Sequence, residues 1–347
     1  MFRVRMLPAD DGDCLLLDYG TEDRQHHILI DGGRGSTYAA SIVLALKDIH
    51  GRGERIDLLV LSHIDADHIE GLLPLIEDPD LPGSVAQVWF NGFDQLSDLE
   101  ILGPRQGDAF SDGLLKRAWP WNADFNGKAV AIREAKLPVI NVVGGMKITL
   151  LTPTMKALSR LRSDWIEYRQ SKTLPVDPDP VPAGLEILGP KLATVPGNVA
   201  ALADAPDVED RTVPNGSSIA FVAEFEGRRV LLAADAHPSD LLEGLRKLDT
   251  EELHLVKLSH HGSKANTTIP LVRAMAAKRI AISTSGARNR HPNPEAVARL
   301  IQYGPKELHF YFNYRTPYTE VWDSQAMRDA FGHECFFGEG FEMKIDV

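Results

Sequence analysis

Short apolar runs that alternate with helix-like stretches are the feature that most constrains the fold of this 347-residue chain. The runs have the length and aliphatic character of strands, and most end in polar residues or glycine. They occupy residues 13–20, 26–33, 57–63, 146–153, 218–225, 228–235, 254–260 and 279–286. Apolar residues at helical spacing lie at 36–51, 68–78, 238–248, 269–279 and 293–304. This alternation predicts an α/β protein whose strands are buried in a layered core.

Two stretches interrupt the alternation. Residues 91–140 mix tryptophan, glycine and charged residues without clear periodicity. Residues 175–214 hold eight of the 22 prolines, and their charges are mostly acidic. We expect one domain spanning residues 1–347, with an insertion or cap at 91–140 and an irregular loop region at 175–214.

Charge and cysteine content exclude several classes of protein. The formal net charge is −12, from 49 acidic and 37 basic residues, which argues against broad electrostatic binding to DNA or to anionic membranes. Cys14 and Cys335 are too few for a disulfide framework or a thiolate zinc finger. No run approaches the roughly 20 apolar residues that span a bilayer. We therefore expect a soluble cytoplasmic protein that does not associate with membranes.

The segment "LSHIDADHIEG" (61–71) places His63, Asp65, Asp67 and His68 at the point where an apolar strand enters a helix. Imidazole nitrogens and carboxylate oxygens are ligands for zinc, manganese or iron. Converging carboxylates repel each other unless a cation lies between them. The alternative is a solvated loop in which Asp65 or Asp67 caps the helix, but capping leaves both histidines unexplained. The motif therefore indicates a metal site.

Further residues of ligand type follow later strands. Asp235 ends one apolar run, His260 and His261 end another, and His291 lies in the loop after a third. Each alone is explained as readily by a turn or a surface loop. Together with the first motif they predict one site built from loops on a rigid sheet. His237 is more simply explained as a helix-start residue.

Asp31 follows another apolar run and precedes Gly32 and Gly33. Glycine permits tight backbone turns, so Asp31 either bonds the backbone amides of such a turn or orients a ligating histidine. The sequence leaves both alternatives open.

These motifs resemble those of metallo-β-lactamase-fold hydrolases, and most closely the hydrolase domain of ComEC-type DNA-uptake proteins and its free-standing soluble relatives. The resemblance rests on "GDCLLLDYG", "ILIDGG", "LSHIDADHIEGL", "ITLLTP", "NGSSIAFVAEFEGRRVLLAAD", "KLSHHGSKAN" and "SGARNRHPNPEAVARL", in the family's order. It covers most of the chain outside residues 91–140 and 155–210. It implies a four-layer αββα sandwich with a two-metal centre at one edge of the two sheets.

The resemblance also implies ligands for two divalent metal ions, zinc or manganese. His63 and Asp65 would hold the first ion and Asp67 and His68 the second, with Asp235 between the two ions. In the family, the aspartate at the position of Asp67 also orients the attacking hydroxide. The implied reaction is hydrolysis by a metal-bound hydroxide, which needs no protein nucleophile.

Two departures from the usual family pattern affect the first ion. Asp65 stands where most members have histidine, and one more oxygen ligand favours manganese over zinc. The usual mid-chain histidine is not evident, since Asn215 occupies that region. The late histidine of the family is matched by His260 or His261, and these residues or His291 would compensate for the missing ligand. Asn215 is either a turn residue or part of the site.

Paired metal ions suit phosphodiester hydrolysis, because both can contact one phosphate. We therefore expect a phosphodiesterase or nuclease, with a nucleotide or short nucleic acid as substrate. A short basic track is available in Lys257, Lys264, Arg288, Arg290 and Arg315, although an ordinary solvated face is the slightly better explanation of these residues. The alternatives are hydrolysis of a lactone, thioester or amide on the same centre, and a non-catalytic binding or scaffold subunit. The sequence identifies no protein partner.

Overall fold

The computed structural model describes residues 1–79, 85–96, 105–171, 193–248 and 252–347, with side chains except at 105 and 167–171. Part of the expected irregular region, 175–192, lies outside them. The strands in chain order are β1 (Phe2–Met6), β2 (Leu15–Gly20), β3 (Gln25–Ile30), β4 (Ile56–Val60), β5 (Val88–Trp89), β6 (Val139–Val142), β7 (Met146–Thr152), β8 (Ala220–Phe225), β9 (Arg228–Leu232), β10 (Leu255–Lys257), β11 (Arg279–Ile282), β12 (His309–Phe312), β13 (Glu334–Phe337) and β14 (Met343–Asp346).

The α-helices lie mostly between these strands. In chain order they are α1 (Gly35–Thr37), α2 (Val43–Gly51), α3 (Ala66–Ile69), α4 (Leu72–Glu77), α5 (Arg105–Arg117), α6 (Met155–Ser171), α7 (Val199–Ala203), α8 (Val213–Gly216), α9 (Pro238–Arg246), α10 (Ile269–Met275), α11 (Pro294–Tyr303), α12 (Pro317–Glu320) and α13 (Gln325–Phe331). A π-helical segment, Tyr38–Ile42, joins α1 to α2. No helix in the described ranges combines the length and apolarity needed to cross a membrane.

The strands form two mixed sheets. The first has six strands in the order β14-β1-β2-β3-β4-β5, and the second has eight in the order β13-β12-β11-β10-β9-β8-β7-β6. In the first sheet β3, β4 and β5 are parallel. In the second sheet the strands from β9 to β13 are parallel. Each sheet therefore presents several strand carboxyl ends at one edge, where loops can converge.

Alternating side chains of the first sheet build two different interfaces. Leu15 and Leu17 of β2 pack in the core that also contains Phe221 and Val256 of the second sheet. Leu16, between them, packs with the helical residues of the cluster that includes Leu46 of α2. Because successive side chains of a strand point to opposite faces, one face meets the other sheet and one meets helices. The predicted α/β class is confirmed, with two sheets and helices consistent with the metallo-β-lactamase fold.

Each predicted strand run contains a strand, and in the runs that carry or precede candidate ligands the strand ends before the polar terminal residues. The run at 57–63 gives β4, which ends at Val60, and the run at 228–235 gives β9, which ends at Leu232. The remaining residues of each run form the loop that follows. The candidate ligands therefore lie just beyond the sheet edge.

The segment 91–140 contains α5, which packs on α4. Phe110 and Leu114 of α5 are buried in the same apolar cluster as Phe93. The described part of the segment thus contributes to the helical layer beside the first sheet. That the segment is an insertion or cap stays a prediction, as does the single domain over 1–347.

Candidate metal centre

Four strand ends bring the candidate ligands together. Asp31 directly follows β3, His63 lies three residues after β4, and Asp235 lies three residues after β9. His260 and His261 follow β10. Because β3 pairs in parallel with β4, and β9 with β10, these residues emerge at corresponding edges of the two sheets.

The first motif forms a short loop followed by α3. Asp65 occupies the residue before the helix, but in the described chain its side chain makes no capping hydrogen bond. Asp65 Oδ2 lies 3.5 Å from His63 Nε2 instead. The ring centroids of His63 and His68 are 4.1 Å apart. Helix capping therefore does not explain Asp65, and the motif folds so that its side chains converge.

Asp235 lies at the centre of the imidazole groups and is 2% exposed. Its Oδ2 lies 3.4 Å from His68 Nε2, 3.7 Å from His260 Nε2 and 3.9 Å from His63 Nε2. Its Oδ1 lies 3.8 Å from His261 Nε2. These separations are longer than the usual range of hydrogen bonds. One carboxylate therefore faces four imidazole nitrogens.

Asp67 extends the cluster on the His261 side. Its Oδ2 lies 3.5 Å from His261 Nε2. Four groups of potential ligands among the described residues have atoms within 4.8 Å of one another. Two of these groups consist only of residues from the ligand motifs: His63, His68 and Asp235 in one, and Asp67, His68 and His261 in the other. His68 belongs to both groups. The arrangement therefore offers two adjacent places for a cation.

Hydrogen bonds at Nδ1 determine that three of the imidazoles direct Nε2 toward the centre. His260 Nδ1 donates to Asn266 Oδ1 at 2.8 Å, and His261 Nδ1 donates to the Ser283 carbonyl at 2.9 Å. His68 Nδ1 donates to Asp31 Oδ2 at 2.8 Å. A proton held at Nδ1 leaves the Nε2 lone pair available, which is the usual arrangement around protein metal ions.

The same conclusion follows for His63 through Ser62. The Ser62 hydroxyl donates to Asp31 Oδ2 at 2.7 Å and lies 3.0 Å from His63 Nδ1. Because a hydroxyl has a single proton, the Ser62 oxygen accepts from His63 Nδ1. Asp31 thus orients both histidines of the first motif, one directly and one through Ser62.

The turn at the second motif is strained. His260 (φ 47) and His261 (φ 54) both adopt left-handed backbone conformations, which are rare for residues other than glycine. Consecutive positive φ values separate the two rings, whose centroids are 6.0 Å apart. Such strain is concentrated at functional sites, where the surrounding structure compensates for it.

Several converging atoms are buried without hydrogen-bond partners among the described residues. They are His63 Nε2, His68 Nε2, His261 Nε2 and Asp235 Oδ1. An unsatisfied buried polar atom destabilises the folded state by about 1–3 kcal/mol, so four such atoms in one place would destabilise it strongly. Imidazole nitrogens and carboxylates with bonded outer partners are ligands of divalent metal ions. The donor set therefore fits the metal ions that the motifs imply.

Charges inside the cluster shift the pKa values of its members in opposite directions. Burial disfavours the charged form of His260 and His261, but Asp235 near both, Asp210 near His260 and Asp13 near His261 outweigh it and raise their pKa values to about 9 and about 10. Burial likewise opposes ionisation of Asp235, but the imidazoles hold the pKa of Asp235 well below its usual range. Without metal, His260 and His261 are therefore imidazolium groups beside the carboxylate of Asp235.

Asn215 and His291 lie beside His260. Asn215 Nδ2 donates to Asp210 Oδ2 at 2.7 Å and lies 3.4 Å from His260 Nδ1. The His291 ring is 5.5 Å from that of His260. His237 directly precedes α9, as expected of a helix-start residue.

The structure adds residues that the sequence did not single out. Asp210 accepts hydrogen bonds from the side chains of Asn215 and Asn266, which both lie next to His260. Asp13 lies beside His261, with 3.4 Å between Oδ1 and Nδ1. Asp13 and Asp210 carried one weak signal, an acidic residue in a turn, which is common in any chain.

Lys257 belongs neither to a basic track nor to a solvated face. Its side chain is completely buried, and its Nζ donates to Asp13 Oδ2 at 2.6 Å. Lys257 lies within a central strand between apolar neighbours, so its charge must be neutralised inside the protein. Of the other candidates, Lys264 pairs with Glu295, and Arg315 lies near Glu320 and Asp323.

Two kinds of similarity to known proteins were found: a family model matches the first part of the chain, and several solved structures resemble its backbone. Residues 7–127 match the model of the Metallo-beta-lactamase superfamily, and no curated protein matches the chain. Zn(2+)-bound PqqB from Methylobacterium extorquens is similar at 16% identity and a TM-score of 0.44, over 99% of this chain and 100% of that chain. The metallo-beta-lactamase fold protein YhfI from Bacillus subtilis is similar at 10% identity and a TM-score of 0.36, over 99% of this chain and 100% of that chain. The short form of human tRNase Z is similar at 13% identity and a TM-score of 0.37, over 80% of this chain and 90% of that chain.

The three structural similarities are too weak to bear on fold or activity. The family model is more informative, because residues 7–127 include Asp31 and the whole His63–His68 motif. The two sheets and their flanking helices agree with the fold of that superfamily. Residues 7–127 are therefore similar to the metallo-β-lactamase superfamily, and the rest of the chain lies outside that match.

Proposed function

We propose that this protein is a metal-dependent hydrolase with two divalent cations, zinc or manganese, and that it cleaves a phosphodiester bond in a nucleotide or short nucleic acid. One observation carries the proposal: four imidazole Nε2 atoms face the buried carboxylate of Asp235. The resemblance to the hydrolase domain of ComEC-type proteins belongs to the same proposal.

The ligands divide into two cation sites that share Asp235. The first cation site consists of His63, Asp65 and His260, around Asp235 Oδ2. In this arrangement His260 supplies the imidazole that the mid-chain region lacks.

The second cation site consists of Asp67, His68 and His261, with Asp235 completing it. Two bound divalent cations would lower the pKa of a shared water and offset the negative charge that builds up on a phosphate.

The chain's own residues orient the reacting groups. Asp67 is ionised, since burial raises its pKa less than His261 and His68 lower it. An ionised carboxylate accepts hydrogen bonds, so Asp67 can accept a proton of the attacking water and leave the oxygen lone pair of that water directed at the phosphate. Asp31 acts from outside by holding Ser62 and His68. These roles require rigid placement, which the strand ends provide.

The charges around the centre support a small substrate. Arg34 donates two hydrogen bonds to Asp11, and the 65%-exposed Arg288 lies 3.8 Å from the same carboxylate. The two guanidinium groups and the shared carboxylate carry one net positive charge, in a chain whose net charge is −12. A long duplex requires an extended basic track. A nucleotide or a short single strand requires only a few cations near the scissile phosphate.

The test is a set of cleavage assays with zinc and with manganese. The substrates are bis(4-nitrophenyl) phosphate, cyclic and linear dinucleotides, short single-stranded DNA and RNA, and a long duplex. The Asp67→Asn variant should lose about 100-fold or more in kcat on any substrate that wild type cleaves. Asp48→Asn, at a carboxylate on α2 that is 63% exposed, should match wild type.

Three results would contradict the proposal in different ways. Equal cleavage by Asp67→Asn would remove Asp67 from the mechanism. Turnover of a lactone or thioester without any phosphodiester cleavage would change the substrate class. A protein that binds no cation above trace and cleaves nothing would be a non-catalytic member of the superfamily.

A further inference from the structure

The loop between β1 and β2 touches ligands from both halves of the centre. The backbone N–H of Asp13 donates to the Asp67 carbonyl at 3.2 Å. The Gly12 carbonyl accepts from the Ser283 hydroxyl at 3.0 Å, and Ser283 also holds His261 through its own carbonyl. The loop belongs to the first sheet, whereas Ser283 follows β11 of the second. It therefore connects the Asp67 side of the centre to the His261 side.

A buried ion pair makes the same connection through side chains. Lys257 is the last residue of β10 and is completely buried, and Asp13 is 1% exposed. Lys257 Nζ lies 2.6 Å from Asp13 Oδ2 and donates also to the Leu258 carbonyl at 3.1 Å. Burying both charges costs free energy that their attraction often only balances. Net stabilisation is therefore a poor explanation for the pair.

The second oxygen of Asp13 faces a candidate ligand. Asp13 Oδ1 lies 3.4 Å from His261 Nδ1, while Lys257 holds Oδ2. The Ser283 carbonyl thus holds His261 at Nδ1, the Asp13 carboxylate lies beside the same edge of the ring, and Nε2 is directed to Asp67 and Asp235.

Gly12 completes the contact because no side chain fits there. A Cβ at this position would lie 1.9 Å from the Asp67 carbonyl oxygen. The loop backbone therefore packs directly on the backbone of Asp67.

We propose that Gly12, Asp13, Lys257 and Ser283 form an inter-sheet clasp that sets the distance between Asp67 and His261, and so determines the affinity of the second cation site. The clasp joins a ligand of the first sheet to a ligand of the second across the interface between the sheets. Asp13 and Lys257 are positioning residues, and neither needs to touch substrate. This inference rests on the proposed function to the extent that a cation binds between Asp67 and His261.

A direct ligand role for Asp13 is the competing explanation, because one of its oxygens lies within 4.8 Å of ligand atoms of Asp235 and His261. Lys257 argues against it, since a fully buried ammonium group already neutralises that carboxylate. The two explanations differ in what the double variant Asp13→Asn/Lys257→Met does. Loss of a ligand abolishes the binding of one cation, whereas loss of a positioning contact only weakens that binding.

The test measures cation binding by wild type, Lys257→Met, the double variant and Ser283→Ala. Lys257→Met leaves the Asp13 charge buried without its partner and is expected to unfold readily. The double variant removes both charges and should fold, and Ser283→Ala removes only the hydroxyl bond to Gly12. The matched control replaces an ion pair remote from the centre, Arg5→Met with Glu342→Gln, whose atoms are 2.6 Å apart.

Calorimetric titration with manganese and zinc should give two binding steps for wild type and for the control. In the double variant one step should weaken by about 10–100-fold, the effect typical of residues that orient ligands. Ser283→Ala should weaken the same step by a few-fold. The visible spectrum of Co²⁺ in that step should change in both variants, because the ligand geometry changes.

The outcomes separate the two proposals. Two unchanged steps and an unchanged cobalt spectrum in the double variant or in Ser283→Ala would overturn the clasp and leave the proposed function standing. Complete loss of one step in the double variant would make Asp13 a ligand and also overturn the clasp. A wild-type protein that binds no cation would overturn the proposed function together with the clasp.

Discussion

Asp31 Oδ2 accepts the Nδ1 proton of His68 at 2.8 Å, and this bond directs His68 Nε2 toward Asp235. The same oxygen accepts from Ser62, which in turn accepts from His63. One buried carboxylate therefore sets the orientation of two imidazoles on the first sheet. Asp31 itself adopts a left-handed backbone conformation (φ 59), which is uncommon for residues other than glycine.

Asp31→Asn should weaken metal binding by about 10–100-fold. The neutral amide cannot stabilise a positive charge on His68, and its NH₂ group would face the two donors, His68 Nδ1 and the Ser62 hydroxyl, if it took the place of Oδ2. Metal titration by calorimetry measures the change. Asp18→Asn is a matched control, since Asp18 is also buried and accepts from a histidine, His27, at 2.7 Å. Equal metal affinity in the two variants would show that Asp31 does not act through His68.

Metal binding should release protons and strengthen as the pH rises from 6 toward 10. Burial lowers the pKa values of His260 and His261, but neighbouring carboxylates raise them to about 9 and about 10. Both rings are thus protonated at pH 7 without metal, and a cation needs the neutral ring. Calorimetry at pH 7 in buffers of different ionisation enthalpy measures the released protons. A binding heat that is independent of the buffer would contradict this assignment.

Gly12→Ala should disrupt the centre although it adds one methyl group. The new Cβ would lie 1.9 Å from the Asp67 carbonyl oxygen, so the backbone of the metal-ligand loop must shift. We expect lower metal affinity together with lower kcat. Gly51→Ala is the control, because no described atom lies within 4 Å of the added Cβ. Metal titration and thermal unfolding of both variants provide the comparison.

Arg299→Met should destabilise the fold by about 3 kcal/mol. The guanidinium is completely buried, and it donates to the carbonyls of Lys264, Thr267 and Ala205 at 2.7–3.0 Å. Losing the donors leaves these oxygens unsatisfied inside the protein. Denaturant unfolding measures the loss of stability. The control is Arg3→Met, at an ion pair in which the Arg3 side chain is 35% exposed, and it should lower the free energy of unfolding by less than about 1 kcal/mol. A similar small loss for Arg299→Met would mean that water replaces the guanidinium.

The local part of the centre was predictable from sequence. His63, Asp65, Asp67 and His68 lie within six positions, so one strand-to-helix turn is enough to bring them together. The alternation of apolar runs with helical stretches gave the α/β class for the same reason, since both patterns depend on neighbours along the chain. Short edge elements such as β5 and β13 were missed because they are too brief to establish a period.

The long-range part was not predictable from these patterns. Lys257 appeared as a surface cation, yet its partner Asp13 is 244 residues away and only the packing of two sheets brings them together. Asp210 lies in the proline-rich region and reaches His260 through Asn266. Nothing in the local sequence distinguishes such a residue from an ordinary turn aspartate.

The sequence by itself determined which residue types follow each strand, because strand periodicity and the ligand motifs are properties of short segments. The tertiary structure decided how the halves meet: Asp235 faces four imidazoles, His260 and His261 diverge, and Lys257 is buried against Asp13. The physical reason is that a buried charge needs a partner, and only the three-dimensional packing of distant segments supplies it.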